Sequence, residues 1–342
     1  MKRMFVLVIV LIFIPGFLFA DIFPESVFGT VTMRFDLSSY PVDKDVRLWI
    51  PYPVSSAYQT ISKIRVEGNY TESGVYTDKR FQTPILYARW KPGVRSRRLL
   101  FRFDAKRIEV VRRDFPARES CWNPVDYEKW LMPSSLGPTD GAVRSLAEHI
   151  VRGKISVLEK ARAIYDWTCK NMYRDESVRG CGIGDVRYLL KKKRPGGKCT
   201  DIHSVFVALC RAVGVPAREI FGIRMCKKTS ADITRWEHCW AEFYLPGYGW
   251  VPVDPADVRK FMLVHGLAFD DPETEKWRSY FWGAWDPYRI RLSVGRDVIL
   301  NPRQAGSPLN NFGYPYAEVD GVSLDWLSPE TFSYKIVCVL HK

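Results

Sequence analysis

The stretch Pro195-Gly196-Gly197-Lys198-Cys199-Thr200-Asp201 leads straight into Ile202, Val205, Phe206, Leu209 and Val213. Those apolar positions fall at helical spacing, and Gly214 with Pro216 ends the run. Cys199 is therefore expected at a helix N-terminus, after a flexible Gly-Gly. Unpaired N–H groups and the positive end of the helix dipole favour an anion there. A thiolate so placed has a lowered pKa and is the competent nucleophile, and Lys198 adds a nearby positive charge. Taken alone, Cys199 reads as well as a small buried apolar residue, the role expected of Cys210 inside the same helix. The partners change this. From Trp236 to Leu245 the chain alternates as a strand, with His238, Trp240, Glu242 and Tyr244 on one face. Pro246 to Gly249 is a turn signal, and a second strand, Trp250 to Asp254, stops at Pro255. Two strands joined by so short a turn can set His238 beside Asp254. A thiol nucleophile needs a base to take its proton and return it to the leaving group. That base needs a carboxylate to fix its tautomer and favour its charged form. Cys199, His238 and Asp254 supply these roles in order.

Neighbouring residues have plainer readings. His203 lies one helical turn after Cys199 and could be a base or a metal ligand, but no further ligands stand at metal spacing, so local packing is expected. Asp201 reads as a cap in the first turn. Glu237 and Glu242 could line a cleft or simply be strand carboxylates. Cys239 points away from His238 and reads as core. Of Trp236, Trp240 and Trp250, packing is expected for at least two. His149, His265 and His341 carry no motif, and Asn69-Tyr70-Thr71 matches a glycosylation acceptor, a short pattern with frequent false matches.

The elements that must hold these residues fall into blocks. From Val27 to about Arg118 the pattern is strand-like: Val31, Met33, Phe35 and Leu37 alternate with polar residues, as do Leu99, Phe101 and Phe103, with shorter runs at 46–50, 61–66 and 85–90 between them. Residues 119–138 have no period and read as a surface linker. Helical spacing follows at Val143, Leu146, Ala147 and Ile150. Ser156 and Glu159 form a capping box for a second helix, and 185–193 is a shorter candidate. After Val264 the chain is rich in aromatics, Pro and Gly, with strands expected at 289–294 and 332–340. This gives a leader or anchor at 1–20, a β-rich domain at 21–118, a linker at 119–138, a catalytic core at 139–265 and an extension packed on the core at 266–342.

With 342 residues, 46% apolar and 26% charged, the chain is neither disordered nor collagen-like nor a coiled coil. Lys2 and Arg3 precede an apolar run from Met4 to Ala20, which reads as a secretory signal; Leu18 near the cut is large for a cleavage site, so an uncleaved anchor stays open. Export would place the protein in the periplasm, outside the cell or on the membrane. The net charge of +13 favours polyanions in principle, but Lys and Arg are spread along the chain and an exported protein meets no nucleic acid routinely. Eight cysteines show no C-x-x-C pair and no zinc pattern, and their pairing cannot be deduced.

The segments G-K-C-T-D, A-L-C-R-A-V-G-V-P-A-R and H-C-W-A-E-F-Y-L-P-G-Y-G-W-V-P-V-D-P resemble the core of the transglutaminase-like superfamily over about residues 155–260. D-P-Y-R-I and Y-P-Y-A-E-V-D-G near the end resemble bacterial members, and the β-rich first part resembles, more weakly, the sandwich such proteins carry. The resemblance implies an α+β chain: an N-terminal β-sandwich-like domain, then a papain-like core with extra C-terminal strands. It implies Cys199 as nucleophile, His238 as base and Asp254 as orienting acid, with the Cys199 N–H as a first oxyanion donor. The expected activity is acyl transfer or hydrolysis on a peptide or carboxamide carbonyl through a thioester. The alternatives are a cysteine peptidase acting on envelope peptides and a non-catalytic envelope scaffold. The expected partner is a peptide or protein substrate, with cell-envelope association and without nucleic acid. No metal or organic cofactor is expected, and calcium is not carried over because no EF-hand-type acidic loop is present.

Overall fold

The computed structural model describes residues 22–341, so the expected leader at 1–20 lies outside the described residues. Alternation becomes two five-stranded antiparallel sheets. One is ordered Ser230–Asp232, Tyr334–Leu340, Ser26–Asp36, Arg98–Ile108, Gln59–Gly68; the other is ordered Val322–Ser323, Tyr316–Val319, Val46–Pro51, Pro84–Trp90, Glu72–Thr77. Val31, Phe35 and Phe101 of the first meet Leu48, Ile50 and Trp90 of the second in one apolar cluster. Each such side chain contributes roughly 1.5–3 kcal/mol on burial, which makes the pair of sheets a sandwich.

The C-terminal segment, expected to pack on the core, is divided. Arg289–Val294 joins the core sheet, whereas Tyr316–Val319 pairs with Val46–Pro51 and Tyr334–Leu340 pairs with Ser26–Asp36. Those early strands would otherwise present unpaired edges, and Ile336 and Cys338 bring the apolar face that covers them. Both ends of the described chain thus build the sandwich and tie it to the core.

Residues 119–138 also do more than link. Pro124–Trp130 is a 3-10 helix with Trp130 buried, and Glu119 accepts hydrogen bonds from the N–H groups of Val157 (3.0 Å) and Leu158 (2.8 Å) at the next helix start.

In the core, Gly141–Ile150, Val157–Asn171 and Val186–Lys191 form near the expected positions. The capping box is present, with Glu159 N–H donating to Ser156 Oγ and Ser156 N–H to Glu159 Oε2. Two further helices, Pro255–His265 and Pro272–Tyr280, were not anticipated. Each begins Asp-Pro, the Asp side chain capping and the Pro taking the first turn, where no N–H is needed. The helix Cys199–Ala212 is buried along its whole length, as a helix surrounded on all sides must be. It packs on an antiparallel sheet ordered Gly249–Val253, Glu237–Leu245, Ala217–Arg224, Arg289–Val294.

Candidate functional site

Cys199 opens the central helix, and its N–H, like those of the whole first turn, has no acceptor within the helix. The Gly-Gly before it is not a flexible hinge. Gly196–Gly197 is a short strand paired in parallel with Tyr173–Arg174. A Cβ on Gly196 would lie 2.2 Å from the Tyr173 ring, and one on Gly197 would lie 2.2 Å from Asp201 Oδ2. Glycine is needed there for close approach. Asp201 acts as the expected cap: Oδ2 accepts from Lys198 N–H (3.0 Å), and Oδ1 from Gly184 N–H (2.8 Å) and Ile183 N–H (3.2 Å). It therefore ties the Ile183–Gly184 turn to the helix start.

His238 sits on Glu237–Leu245, and Asp254 ends the adjoining strand and caps the helix after it. His238 Nε2 lies 2.9 Å from Asp254 Oδ2. With that nitrogen engaged, Nδ1 is the ring nitrogen left for another partner. Asp254 Oδ1 accepts from Asp257 N–H at 2.7 Å, and His203 Nε2 stands 3.2 Å from the same oxygen. His203 Nδ1 lies 2.7 Å from the Cys199 carbonyl oxygen. His203 therefore packs locally, as expected, but also backs the carboxylate.

Behind this pair is a residue the sequence analysis gave no role. Arg289 is wholly buried and its guanidinium meets Asp254 Oδ2, Asp257 Oδ2 (2.7 Å) and Asp286 Oδ2 (2.8 Å). Arg224 adds a second cation to Asp257. Burial disfavours the charge on Asp254, but Arg289, His238 and His203 outweigh it and hold the carboxyl well below the usual range. Asp254 thus stays an acceptor. Arg289 lies in the segment D-P-Y-R-I, which shows no local sign of a partner 35 positions away.

Cys199 is nearly covered, with 3% of its surface exposed. Burial alone would raise its pKa. Hydrogen bonds with Cys181, Cys239 and His238, together with the His238 charge, reverse this and hold the thiol well below its ordinary value. Cys239, expected to be core, is buried, yet its sulfur also meets Thr200 Oγ1 at 3.4 Å beside the helix start. Cys181 stands outside any motif in the sequence. Its sulfur, that of Cys199 and a carboxylate oxygen of Glu237 all lie within 4.8 Å of one another. Burial, then the Cys199 charge, push Glu237 up to about 8. All eight cysteines are free thiols.

These groups open into a cleft of about 1020 Å³ reached by Cys199, His238, Glu237, Tyr314 and Trp236. Trp236 is exposed on its wall. Trp240 is buried against Trp285 and 5.9 Å from the His238 ring, and Trp250 stacks under Arg218. Glu242 is not on the cleft; it is held by Arg218 at 2.6 Å. Asn69 is engaged by Ser96 O, Trp90 Nε1 and Arg98 N–H. Among the described residues, two triplets could gather around a metal ion, Cys181–Cys199–Glu237 and His238–Asp254–Asp257. In the second, Arg289 and Arg224 already occupy the carboxylates.

Comparison with known proteins agrees with this architecture. Residues 144–255 match the model of the transglutaminase-like superfamily. An uncharacterized protein of Haemophilus influenzae is 37% identical over 313 residues, 85% of each chain. A solved structure of a candidate cysteine protease from Cytophaga hutchinsonii superposes with a TM-score of 0.55 at 14% identity, over 93% of this chain and 92% of that one. That likeness is one of fold. The periplasmic domain of TgpA from Pseudomonas aeruginosa aligns over 74% of this chain and 92% of that one, at 15% identity and a TM-score of 0.35. With its central helix, four-stranded sheet and matching core segments, the chain belongs to the transglutaminase-like superfamily.

Proposed function

We propose that the protein is a cysteine-dependent enzyme that transfers or hydrolyses acyl groups at peptide or carboxamide carbonyls. Cys199 Sγ attacks the carbonyl carbon after giving its proton to His238. The oxyanion that forms faces the free N–H of Cys199. His238 returns the proton to the departing nitrogen, which leaves as an amine or ammonia, and a thioester remains on Cys199. An amine or a water then attacks the thioester while His238 takes its proton, and the thiolate leaves. Asp254 holds the His238 ring and favours its charged form, and Arg289 keeps Asp254 ionised.

What supports this reading is that His238 Nε2 lies 2.9 Å from Asp254 Oδ2 while Cys199, at the edge of the same cleft, opens the helix packed against the strand that carries His238. A scaffold role would not require the buried Arg289 network to poise that imidazole. Hydrolysis and transfer share every step up to the thioester, so a peptidase and a transferase differ only in the acceptor admitted. An exported location and envelope peptides as substrates belong to the same proposal and rest on the segment Lys2–Ala20. Sequencing the N-terminus of the mature protein tests the leader.

The test of chemistry is alkylation by iodoacetamide near neutral pH, followed residue by residue by mass spectrometry, then incubation with a Gln-containing peptide with and without a primary amine. Fast labelling of Cys199 that is lost in His238→Ala supports the enzyme. Equal, slow labelling in both proteins overturns it. A conjugate formed only with amine identifies transfer; release of ammonia or of a cleaved peptide without it identifies hydrolysis.

A further inference from the structure

The spread of Lys and Arg along the sequence gave no reason to expect a charged site, but folding gathers them. Eight of the side chains that line the cleft are Lys or Arg and two are Glu. Of the eight, Arg174 is paired with Glu176 (2.6 Å), Arg179 with Asp325 (2.7 Å), and Arg224 with Asp257. Lys198, Lys227, Lys228, Arg235 and Lys260 have no carboxylate partner among the described residues. They come from four separate places: the residue before Cys199, the loop after Ala217–Arg224, the approach to His238, and the helix that Asp254 caps. Lys227 also faces the rings of Phe23 and Tyr288, each at 5.5 Å.

The opposing charges are few. Glu176 is already held by Arg174, with Lys198 and Lys260 acting on it at longer range. Glu237, pushed up to about 8, is mostly neutral near pH 7. Cations at close spacing repel one another, and a cleft with low-dielectric walls focuses their field. Such an arrangement is compensated by a negatively charged occupant. Trp236, Trp326, Leu327 and Phe332 interleave apolar surface with the cations, which suits side chains of mixed character better than a uniform polyanion.

We infer that the cleft selects an acidic peptide, with Asp or Glu side chains or a free carboxylate flanking the carbonyl that Cys199 attacks. This names a substrate class for the proposed enzyme and rests on that reading. Binding, however, can be tested apart from turnover.

The probes are three labelled peptides with a central Gln flanked by Glu, by Ser or by Lys. They are titrated by fluorescence anisotropy onto the full chain carrying Cys199→Ala, which binds without reacting. The Glu peptide should bind at least about tenfold tighter than the Ser peptide, and the Lys peptide should bind worst. The preference should shrink between about 50 and about 200 mM salt. It should also fall in Lys227→Glu/Lys228→Glu, two exposed positions whose exchange leaves the core untouched. Equal binding of the three peptides overturns the inference, as does an anionic phospholipid vesicle that binds while none of the peptides does. Turnover of the same peptides by the unsubstituted chain is read separately: its failure for all three sinks the proposed enzyme, whereas turnover without charge preference sinks only the acidic-peptide inference.

Discussion

The two cysteines of one helix, Cys199 and Cys210, are the same residue in opposite situations. Both are buried, at 3% and 0% exposure. Burial pushes the Cys210 thiol well above its ordinary value, with only Arg211 acting the other way. Cys199 experiences the same burial and ends well below, because Cys181, Cys239 and His238 hydrogen-bond to it and His238 adds charge. Burial therefore does not decide the acidity of the thiol. Position does: the interior of the helix offers apolar neighbours, whereas its start offers the Cys199 N–H, with no acceptor in the helix, and the strand that carries His238.

The strongest way to break this contrast is to remove each sulfur. Cys199→Ala should lower turnover at least about a thousandfold, as expected for loss of a nucleophile. Cys210→Ala should leave turnover within a few fold and cost about 1 kcal/mol of stability. Steady-state rates and urea unfolding check both, and Cys121, the exposed thiol, serves as the labelling reference. Comparable losses from the two substitutions would mean that the helix start has no special standing. Next in size, Asp254→Asn keeps the shape but removes the charge that fixes His238. It should reduce turnover by about 10²–10⁴ and slow the alkylation of Cys199 while Cys121 labels as before.

The contrast was legible at its local end. Helical spacing after Cys199, the alternation through His238 and the short turn before Trp250 are patterns of neighbouring residues, and they specify the helix start and the paired strands without knowledge of the rest. The cap formed by Ser156 was readable for the same reason. What stayed hidden depends on distance along the chain. Arg289 reaches Asp254 across 35 positions, Cys181 and Tyr314 meet the site from loops, and Tyr334–Leu340 pairs with Ser26–Asp36 from the far end of the sequence. The helix at Pro255 had a local signal, Asp followed by Pro, but the same residues also end a strand, and only that meaning was drawn from them. Gly196–Gly197 misled because glycine serves close packing and flexibility equally.

Arg289 is thus the residue whose loss should most disturb the fold around His238. Arg289→Met leaves Asp254, Asp257 and Asp286 together with Arg224 as their remaining full-time cation. Removing one partner from a buried ion network costs about 3–5 kcal/mol, and the urea midpoint should fall accordingly. Arg289→Lys, which keeps a charge but not the three-way fork, should recover part of it. A midpoint unchanged in Arg289→Met would show that the carboxylates are already satisfied without it.

The last effect is graded with pH and concerns the carboxyl beside the nucleophile. In the unfolded chain Glu237 loses its proton near its ordinary value of 4.5, whereas in the folded protein it does so at about 8. Between these values the folded state holds more protons, so this group's contribution to stability falls as pH rises, by at most about 1.4 kcal/mol per pH unit. Cys199 acts in the opposite direction: its folded pKa is lowered, so it adds stability as pH rises toward the ordinary thiol value of 9.0. The two slopes partly cancel in the unsubstituted protein. Glu237→Gln, neutral at every pH and close in shape, removes only the falling one. The stability of Glu237→Gln relative to the parent should therefore increase steadily from about pH 5 to about pH 8, as read from urea unfolding at several pH values. In a Cys199→Ala background that increase should shrink, since part of the upward push on Glu237 comes from the Cys199 charge. A flat difference in both backgrounds would mean that Glu237 is ionised at neutrality, and then the thiolate at the helix start would have a second negative charge beside it instead of a neutral acid.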